Sequence, residues 1–234
     1  MNEKLYKRTE LLVGKAGLRK LKNASIMVVG LGGVGSFAVE SLARSGIGCI
    51  TVVDHDIIEE TNLNRQLPAL CSTISQYKVD AAADRLLKIN PRLKIRKYSC
   101  SFNSENSEQF FNTTYDYVLD AIDSIKDKVH LIKTCLDKKI PIISAMGTAR
   151  RINPLMLSIA DIKESSVCPL ARRLRKELRQ EGISEGFEVV FSLEAPLADA
   201  GIADEEHQLG SMVFVPASAG ILMGSFVVRR ILDC

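Results

Sequence analysis

The chain is predicted to be an α/β protein built on a doubly wound, mostly parallel sheet, with a C-terminal extension of that sheet. Three observations predict this. Short strand-like runs at 26–29, 49–53, 93–98, 116–121 and 141–145 alternate with longer segments of helical periodicity. A Gly30-x-Gly32-x-x-Gly35 turn stands directly between the first run and the first helical segment. With 234 residues, the chain is long enough for one such domain with a large core and too short for two ordinary ones.

In chain order, residues 1–24 carry Lys7, Arg8, Lys15, Arg19, Lys20 and Lys22 around short apolar stretches, which predicts a helical arm. The run at 26–29 ends in glycine, as a buried parallel strand does. Gly30, Gly32 and Gly35 then allow a tight turn, close approach of backbone to phosphate, and packing of helix on strand. The helix predicted at 34–44 would aim its free N–H groups at an anion. The strand at 49–53 ends at Asp54, nineteen residues past Gly35, where a carboxylate can accept from ribose hydroxyls. This much is a Rossmann-like nucleotide unit, and an NAD enzyme would share it. The difference comes next. Asn62, Asn64, Arg65 and Gln66 follow closely, and Lys78 lies thirteen residues beyond Arg65. Two fixed cations beside phosphates suit phosphoryl chemistry, in which developing charge must be neutralised; hydride transfer needs no such pair.

A helix is predicted over 74–89, with Lys78 in its first turn and Asn90-Pro91 as its stop. A strand follows at 93–98, then a short helix over 104–112 capped by Ser104. The strand at 116–121 delivers Asp120 and Asp123 to the carboxyl edge of the sheet, where ligands bind. Asp123 suits a Mg²⁺ that bridges phosphate oxygens, and also the cap of a helix over 124–138. Past the strand at 141–145 the pattern changes. Segments 155–159 and 187–192 read as strands of a different pairing, flanking a basic helix whose cations Arg172, Arg173, Arg175, Lys176 and Arg179 fall on more than one face. The polar, acidic stretch 198–210 reads as a mobile loop. The apolar helix at 217–232 carries Ala219, Gly220 and Gly224 for core or dimer packing, and Arg229-Arg230 interrupt it too soon for a bilayer span.

Composition excludes several classes. A 46% hydrophobic, 25% charged chain is a soluble globular protein, and a net charge of +3 does not by itself call for nucleic acid. The N-terminus lacks the apolar core of a signal peptide, so a cytoplasmic protein is expected. Six cysteines occur singly without any C-x-x-C, so neither a disulfide framework nor a cysteine zinc site is indicated.

Gly30-x-Gly32-Gly33-x-Gly35, Asp54-x-Asp56, Asn62-x-x-Arg65-Gln66 and Lys78 stand at the spacing of the ubiquitin-activating-enzyme-like adenylyltransferases, the ThiF/MoeB/HesA superfamily, which the chain resembles. The resemblance implies ATP and Mg²⁺ as cofactors. It places Gly30, Gly32, Gly33, Gly35, Asp54, Asp56, Asn62 and Gln66 around the nucleotide, with Arg65, Lys78 and Asp123 as catalytic residues. Asp120-x-x-Asp123 matches the superfamily pattern, with Asp123 as metal ligand. A homodimer is implied, in which Arg8 reaches the partner's nucleotide. The chain would be a single adenylation domain over 1–234: an arm at 1–24, a nucleotide core at 25–150, and a substrate and dimer half at 151–234.

The second half resembles one branch. Cys168-Pro169-Leu170-Ala171-Arg172-Arg173, Val189-Val190-Phe191-Ser192 and the segment 210–220 look like the tRNA threonylcarbamoyladenosine dehydratases. Members use ATP to cyclise the threonylcarbamoyl group on the adenosine beside the anticodon. Arg172, Arg173, Arg175, Lys176 and Arg179 would then contact tRNA phosphates. Sulfur-carrier activators of the superfamily bind zinc through paired cysteines, which are missing here, so no zinc is expected. An adenylyltransferase for a ubiquitin-like sulfur carrier is the nearest rival, and a sulfur-transfer protein stays open as a partner. Cys168 departs from the branch, which commonly has an acidic residue there. A catalytic thiolate is one reading, but a small helix-entry residue is preferred, because the thiol has no evident histidine partner.

Overall fold

The computed structural model describes residues 4–198 and 209–234. Its seven strands are β1 (Ser25–Val29), β2 (Cys49–Val53), β3 (Lys94–Tyr98), β4 (Tyr117–Asp120), β5 (Ile142–Ala145), β6 (Leu157–Asp161) and β7 (Glu188–Ser192). They form one sheet in the order β3-β2-β1-β4-β5-β7-β6. Every neighbouring pair is parallel except β6 with β7, so of the two segments predicted to pair differently only β6 does; β7 continues the parallel sheet beside β5. β1 lies between β2 and β4, so the chain winds one way from β1 and then the other. Such a switch point opens a crevice at the carboxyl ends of β1 and β4.

Helices α1 (Lys7–Asn23), α2 (Gly35–Ser45), α3 (Lys78–Ile89), α4 (Ile125–Asp137), α5 (Pro169–Gln180) and α6 (Phe214–Leu232) cover the sheet. Successive strand side chains point to opposite faces, and the two cores divide accordingly. Ile26 and Val28 of β1 face the core under α2, α3 and α6 with Leu42, Leu86 and Met223. Met27 and Val29 face the core under α4 and α5 with Leu131, Leu174 and Phe187. By length and composition α6 passes for a membrane helix. It is a core helix instead: side chains added at Gly220 and Gly224 would run into Val34 O, just before α2, and Ser41 Oγ within it. The small residues of α6 therefore serve packing within the chain.

The structure corrects several boundaries. α3 begins at Lys78, not 74, because Ser75 takes φ 70° and Tyr77 bridges to Ile57. The segment predicted as a helix at 104–112 is a 3-10 turn over Ser107–Phe111. Ser104 is not its cap; Asn103 Oδ1 accepts from the Glu105 and Asn106 amides. The strand predicted at 155–159 starts two residues later, after a 3-10 turn at Pro154–Met156, and α6 starts three residues early. The N-terminal arm is helical in two pieces, broken at Gly14 with φ 72° and ψ 171°. Of the stretch predicted as a mobile loop, residues 199–208 lie outside the described residues.

Candidate active site

The glycine turn fits the crevice by close backbone contact. Gly30 has φ 90° and donates its amide to Val53 O at 2.8 Å. A Cβ there would sit 2.6 Å from Ala121 O, so β1 and β4 approach too closely for any side chain. At Gly35 a Cβ would overlap Gly30 O, whereas at Gly32 it would meet nothing within 4 Å. Gly32 thus faces open space, where a phosphate can approach the backbone at the start of α2. A Cβ on Gly33 would lie 3.1 Å from Pro216 Cβ and 3.5 Å from Arg65 Cγ, so α6 and Arg65 close over the turn.

Asp54 is buried at the end of β2. Its carboxylate accepts from Leu31 N at 2.6 Å and Asp56 N at 2.8 Å, which fixes both oxygens and leaves each a further lone pair for a ribose hydroxyl. Burial pushes the Asp54 carboxyl above its ordinary value, against the opposing pull of the Leu31 amide and the Lys78 charge. Lys78, 5% exposed, donates from Nζ to Asp56 Oδ2 at 2.7 Å, and its own amide donates to Asp56 O. This pair links Asp54-x-Asp56 to the first residue of α3. Asp54, His55 and Asp56 bring three ligand atoms within 4.8 Å of one another. With Lys78 already against Asp56, that cluster has its cation from the protein.

Arg65 Nη1 donates to Thr61 O at 2.7 Å and Asn64 Oδ1 at 3.0 Å, which holds the half-buried side chain against Gly33. Asn62 is buried, and its Oδ1 accepts from Glu59 N, which closes the turn that presents Arg65. Gln66 is buried too, and its Oε1 has no partner among the described residues. A buried orphan acceptor beside the glycine turn fits a site built for a ligand with donor groups, such as an adenine amine or a ribose hydroxyl. Asn64 Nδ2 donates to Ser211 O, which ties the entry to α6 to the nucleotide side.

Asp123 is exposed two residues beyond Ala121, whose carbonyl touches Gly30. It does not cap α4: the N-cap is Ser124, which makes no side-chain cap bond. Its carboxylate is therefore available at the crevice, as a Mg²⁺ ligand requires. Sequence reasoning missed the residue that sets its loop. Lys128, fully buried, donates to Asp120 Oδ2 at 2.7 Å, Ser144 Oγ at 3.1 Å and Ala145 O at 3.0 Å. Asp120 Oδ1 accepts from Ile122 N. This pair fastens the β4–α4 loop to β5, and no local pattern signals it, because Lys128 is buried only by packing against β5, sixteen residues on.

Arg8 is exposed in α1. Two residues earlier, Tyr6 donates its hydroxyl to Ala43 O at 2.8 Å, near the end of α2 that lies farthest from the glycine turn. An 11-residue helix spans roughly 16 Å, so Arg8 is not brought to the site of its own chain. On α5, Ala171, Leu174 and Leu178 form the buried face, each leucine contributing about 2 kcal/mol. At about 100° per residue, Arg172, Lys176 and Arg179 fall within an arc of about 60° on the opposite face. Arg173 points to the groove beside α4, near Lys126 and His130. Arg175 differs from the rest: it donates to Ser165 O at 2.7 Å and also to Ser165 Oγ, so it staples α5 to the preceding turn. Cys168 is buried at the N-cap of α5 and packs beside Gly147.

The crevice thus combines an open glycine turn, a buried carboxylate, two cations and an exposed carboxylate. That set suits attack on a nucleotide phosphate. Comparison with known proteins identifies the family. Residues 6–234 match the ThiF family. The chain is 44% identical to the tRNA threonylcarbamoyladenosine dehydratase of Bacillus subtilis, over 97% of this chain and 94% of that protein. It is 38% identical to the enzyme of the same name from Escherichia coli, over 96% and 92%. The crystal structure of the Escherichia coli dehydratase, TcdA, in complex with ATP superposes with a TM-score of 0.91 at 33% identity, covering 97% of this chain and 93% of that one. The chain therefore belongs to the ThiF family and, within it, to the tRNA threonylcarbamoyladenosine dehydratases.

Proposed function

We propose that this chain is an ATP-dependent dehydratase that cyclises the threonylcarbamoyl group on the adenosine beside a tRNA anticodon. The observation that carries the chemistry is Arg65 lying against Gly33, with Lys78 buried nearby. The threonyl carboxylate attacks the α-phosphate of ATP, and pyrophosphate leaves. The carbamoyl group then attacks the activated acyl carbon, loses a proton, and expels AMP. The attacking group is tethered, so this second step needs orientation more than a strong base.

Gly30, Gly32, Gly33 and Gly35 accommodate the phosphates, Asp54 holds the ribose, and Asn62 and Gln66 complete the wall. Arg65 and Lys78 offset charge that develops on the phosphates; the hydrogen bond to Asp56 holds the Lys78 ammonium in place. Asp123 would hold Mg²⁺, which when bound neutralises phosphate oxygens. The enzyme acts as a homodimer in which Arg8 enters the partner's site. Support comes from the arm itself: Leu11 and Leu12, 73% and 85% exposed, sit one helical turn beyond Arg8 and call for a cover. Arg172, Lys176, Arg179 and Arg173 form the tRNA face.

The test is nucleoside mass analysis of tRNA carrying threonylcarbamoyladenosine after incubation with the protein and MgATP. Loss of one water from the modified nucleoside, with AMP and pyrophosphate released, is expected. An unchanged nucleoside beside adenylation of a carrier-protein C-terminus would turn the assignment to a sulfur-carrier activator. Zinc separates the same two readings. Among the described residues no cysteine joins a ligand cluster. Elemental analysis of the purified protein should find zinc well below one per chain, and stoichiometric zinc would count against the dehydratase.

A further inference from the structure

After β5 the chain enters the segment 146–151 at the same edge of the sheet as Asp123. Ser144 is in register with Asp120, so Gly147 and Asp123 each stand three residues past a paired position. Met146 N donates to Val190 O and Arg150 N donates to Gly210 O, both at 2.8 Å. Between them, the amides of Gly147, Thr148 and Ala149 have no hydrogen-bond partner among the described residues. All three residues are partly exposed. Successive free amides in a turn form a concavity that binds anions.

Behind this loop lies Arg151, only 3% exposed. Its Nη1 donates to Gly147 O at 2.8 Å and Ala149 O at 3.2 Å, and its Nε donates to Glu194 O at 2.9 Å. Nη2 is buried without a partner, and no carboxylate among the described residues pairs with the guanidinium. The Glu194 carboxylate is turned elsewhere, onto the amides of Ile152 and Asn153. Buried charges are normally paired. This one is hydrogen-bonded only to carbonyls, so no carboxylate neutralises it by direct contact.

The carbonyl contacts also set direction. The peptides are trans, so the Thr148 N–H points opposite to Gly147 C=O. With that carbonyl drawn back to Arg151, the amide is turned away from the guanidinium and polarised by it. The loop also rests on the first turn of α5. A Cβ on Gly147 would lie 3.5 Å from Leu170 Cβ, 3.7 Å from Cys168 Sγ and 3.9 Å from Arg151 Nη1. The positive end of the α5 dipole adds to the same potential.

We infer that Gly147, Thr148 and Ala149, backed by Arg151, form an anion subsite that takes the carboxylate of the threonylcarbamoyl group before it attacks ATP. This rests on the proposed dehydratase function. The tRNA gripped along Arg172, Lys176 and Arg179 would deliver its modified base to the loop packed against the start of the same helix. A backbone phosphate of the tRNA shares the anion chemistry, so the test must separate the two.

Binding is measured without ATP, for one tRNA with and without the threonylcarbamoyl group, which leaves every phosphate in common. Wild type should prefer the modified tRNA by roughly ten-fold, the worth of charge-assisted hydrogen bonds to one carboxylate. Arg151→Gln should bind both forms alike, with affinity for ATP and for unmodified tRNA unchanged. Should that variant fail to fold, Thr148→Pro deletes one amide, leaves the buried charge in place, and should also reduce the preference. Retained preference in either folded variant overturns the inference, as does equal weakening toward both tRNAs, which would mean a phosphate contact. Cyclic product from a wild type that shows no preference refutes the subsite alone. No product from any tRNA refutes the function beneath it.

Discussion

Arg65→Ala and Lys78→Ala should each lower turnover by on the order of 10²-fold or more, while the fold survives. In the proposed mechanism both side chains act where charge accumulates as pyrophosphate departs, and neither is needed to bury the core. Arg65 is held by Thr61 O and Asn64 Oδ1, so its loss frees two acceptors that reach solvent. Lys78 is the more delicate case, because it is buried and its partner is a carboxylate. Asp56 is 47% exposed, however, so in Lys78→Ala water can take up its charge, and the cost is that of a surface pair rather than a buried one. The expected pattern is lost turnover with a melting temperature close to wild type. The loss should fall on kcat as well as kcat/KM, because the interactions strengthen as charge develops. Near-wild-type turnover in both variants would leave the two cations without a chemical role.

What could be read from the sequence was whatever depends on short separations. The glycine turn, the strand ending at Asp54 and the helix after Gly35 are adjacent in the chain, and each residue there is chosen by its own backbone. That β6 joins in a different pairing was legible from the change of pattern after residue 145, but β7 was wrongly grouped with it, because its parallel place beside β5 depends on long-range packing. The ion pairs were not legible. Asp56 and Lys78 are 22 residues apart, and the backbone bonds that pair 56–58 with 75–78 bring them together. Lys128 reads as one more helix lysine until β4 and β5 close over it and bury it against Asp120. Arg151 is hidden by the same limit, since burial of a charge follows from packing that no local pattern encodes. Helical periodicity likewise overran the start of α3, because Ile74 continues its apolar spacing while Ser75 turns the backbone out of it.

The basic helix gives the second large effect, in tRNA affinity. Spacing alone spread its five cations over several faces, whereas the packed helix sorts them. Arg175 is committed to Ser165, and Arg172, Lys176 and Arg179 share one exposed stripe with no ion pair among the described residues. A stripe of unpaired cations on a rigid helix suits a phosphate backbone, and each contact releases a counterion. The double variant Arg172→Ala/Arg179→Ala should therefore bind tRNA more weakly, with a salt slope flatter by roughly 0.7 to 0.9 per lost contact, or about 1.4 to 1.8 in all. The weakening should be greatest at low salt and shrink as salt rises, since the lost part is electrostatic. ATP affinity should not change, because the nucleotide crevice lies at the ends of β1 and β4 while the stripe lies on α5. Arg175→Ala is the internal comparison: it should lower thermal stability through the loss of the Ser165 contacts and leave the salt slope near wild type. Were the double variant to match wild type in both affinity and slope across the salt series, the stripe would be a solvated face, and the tRNA would have to be gripped elsewhere.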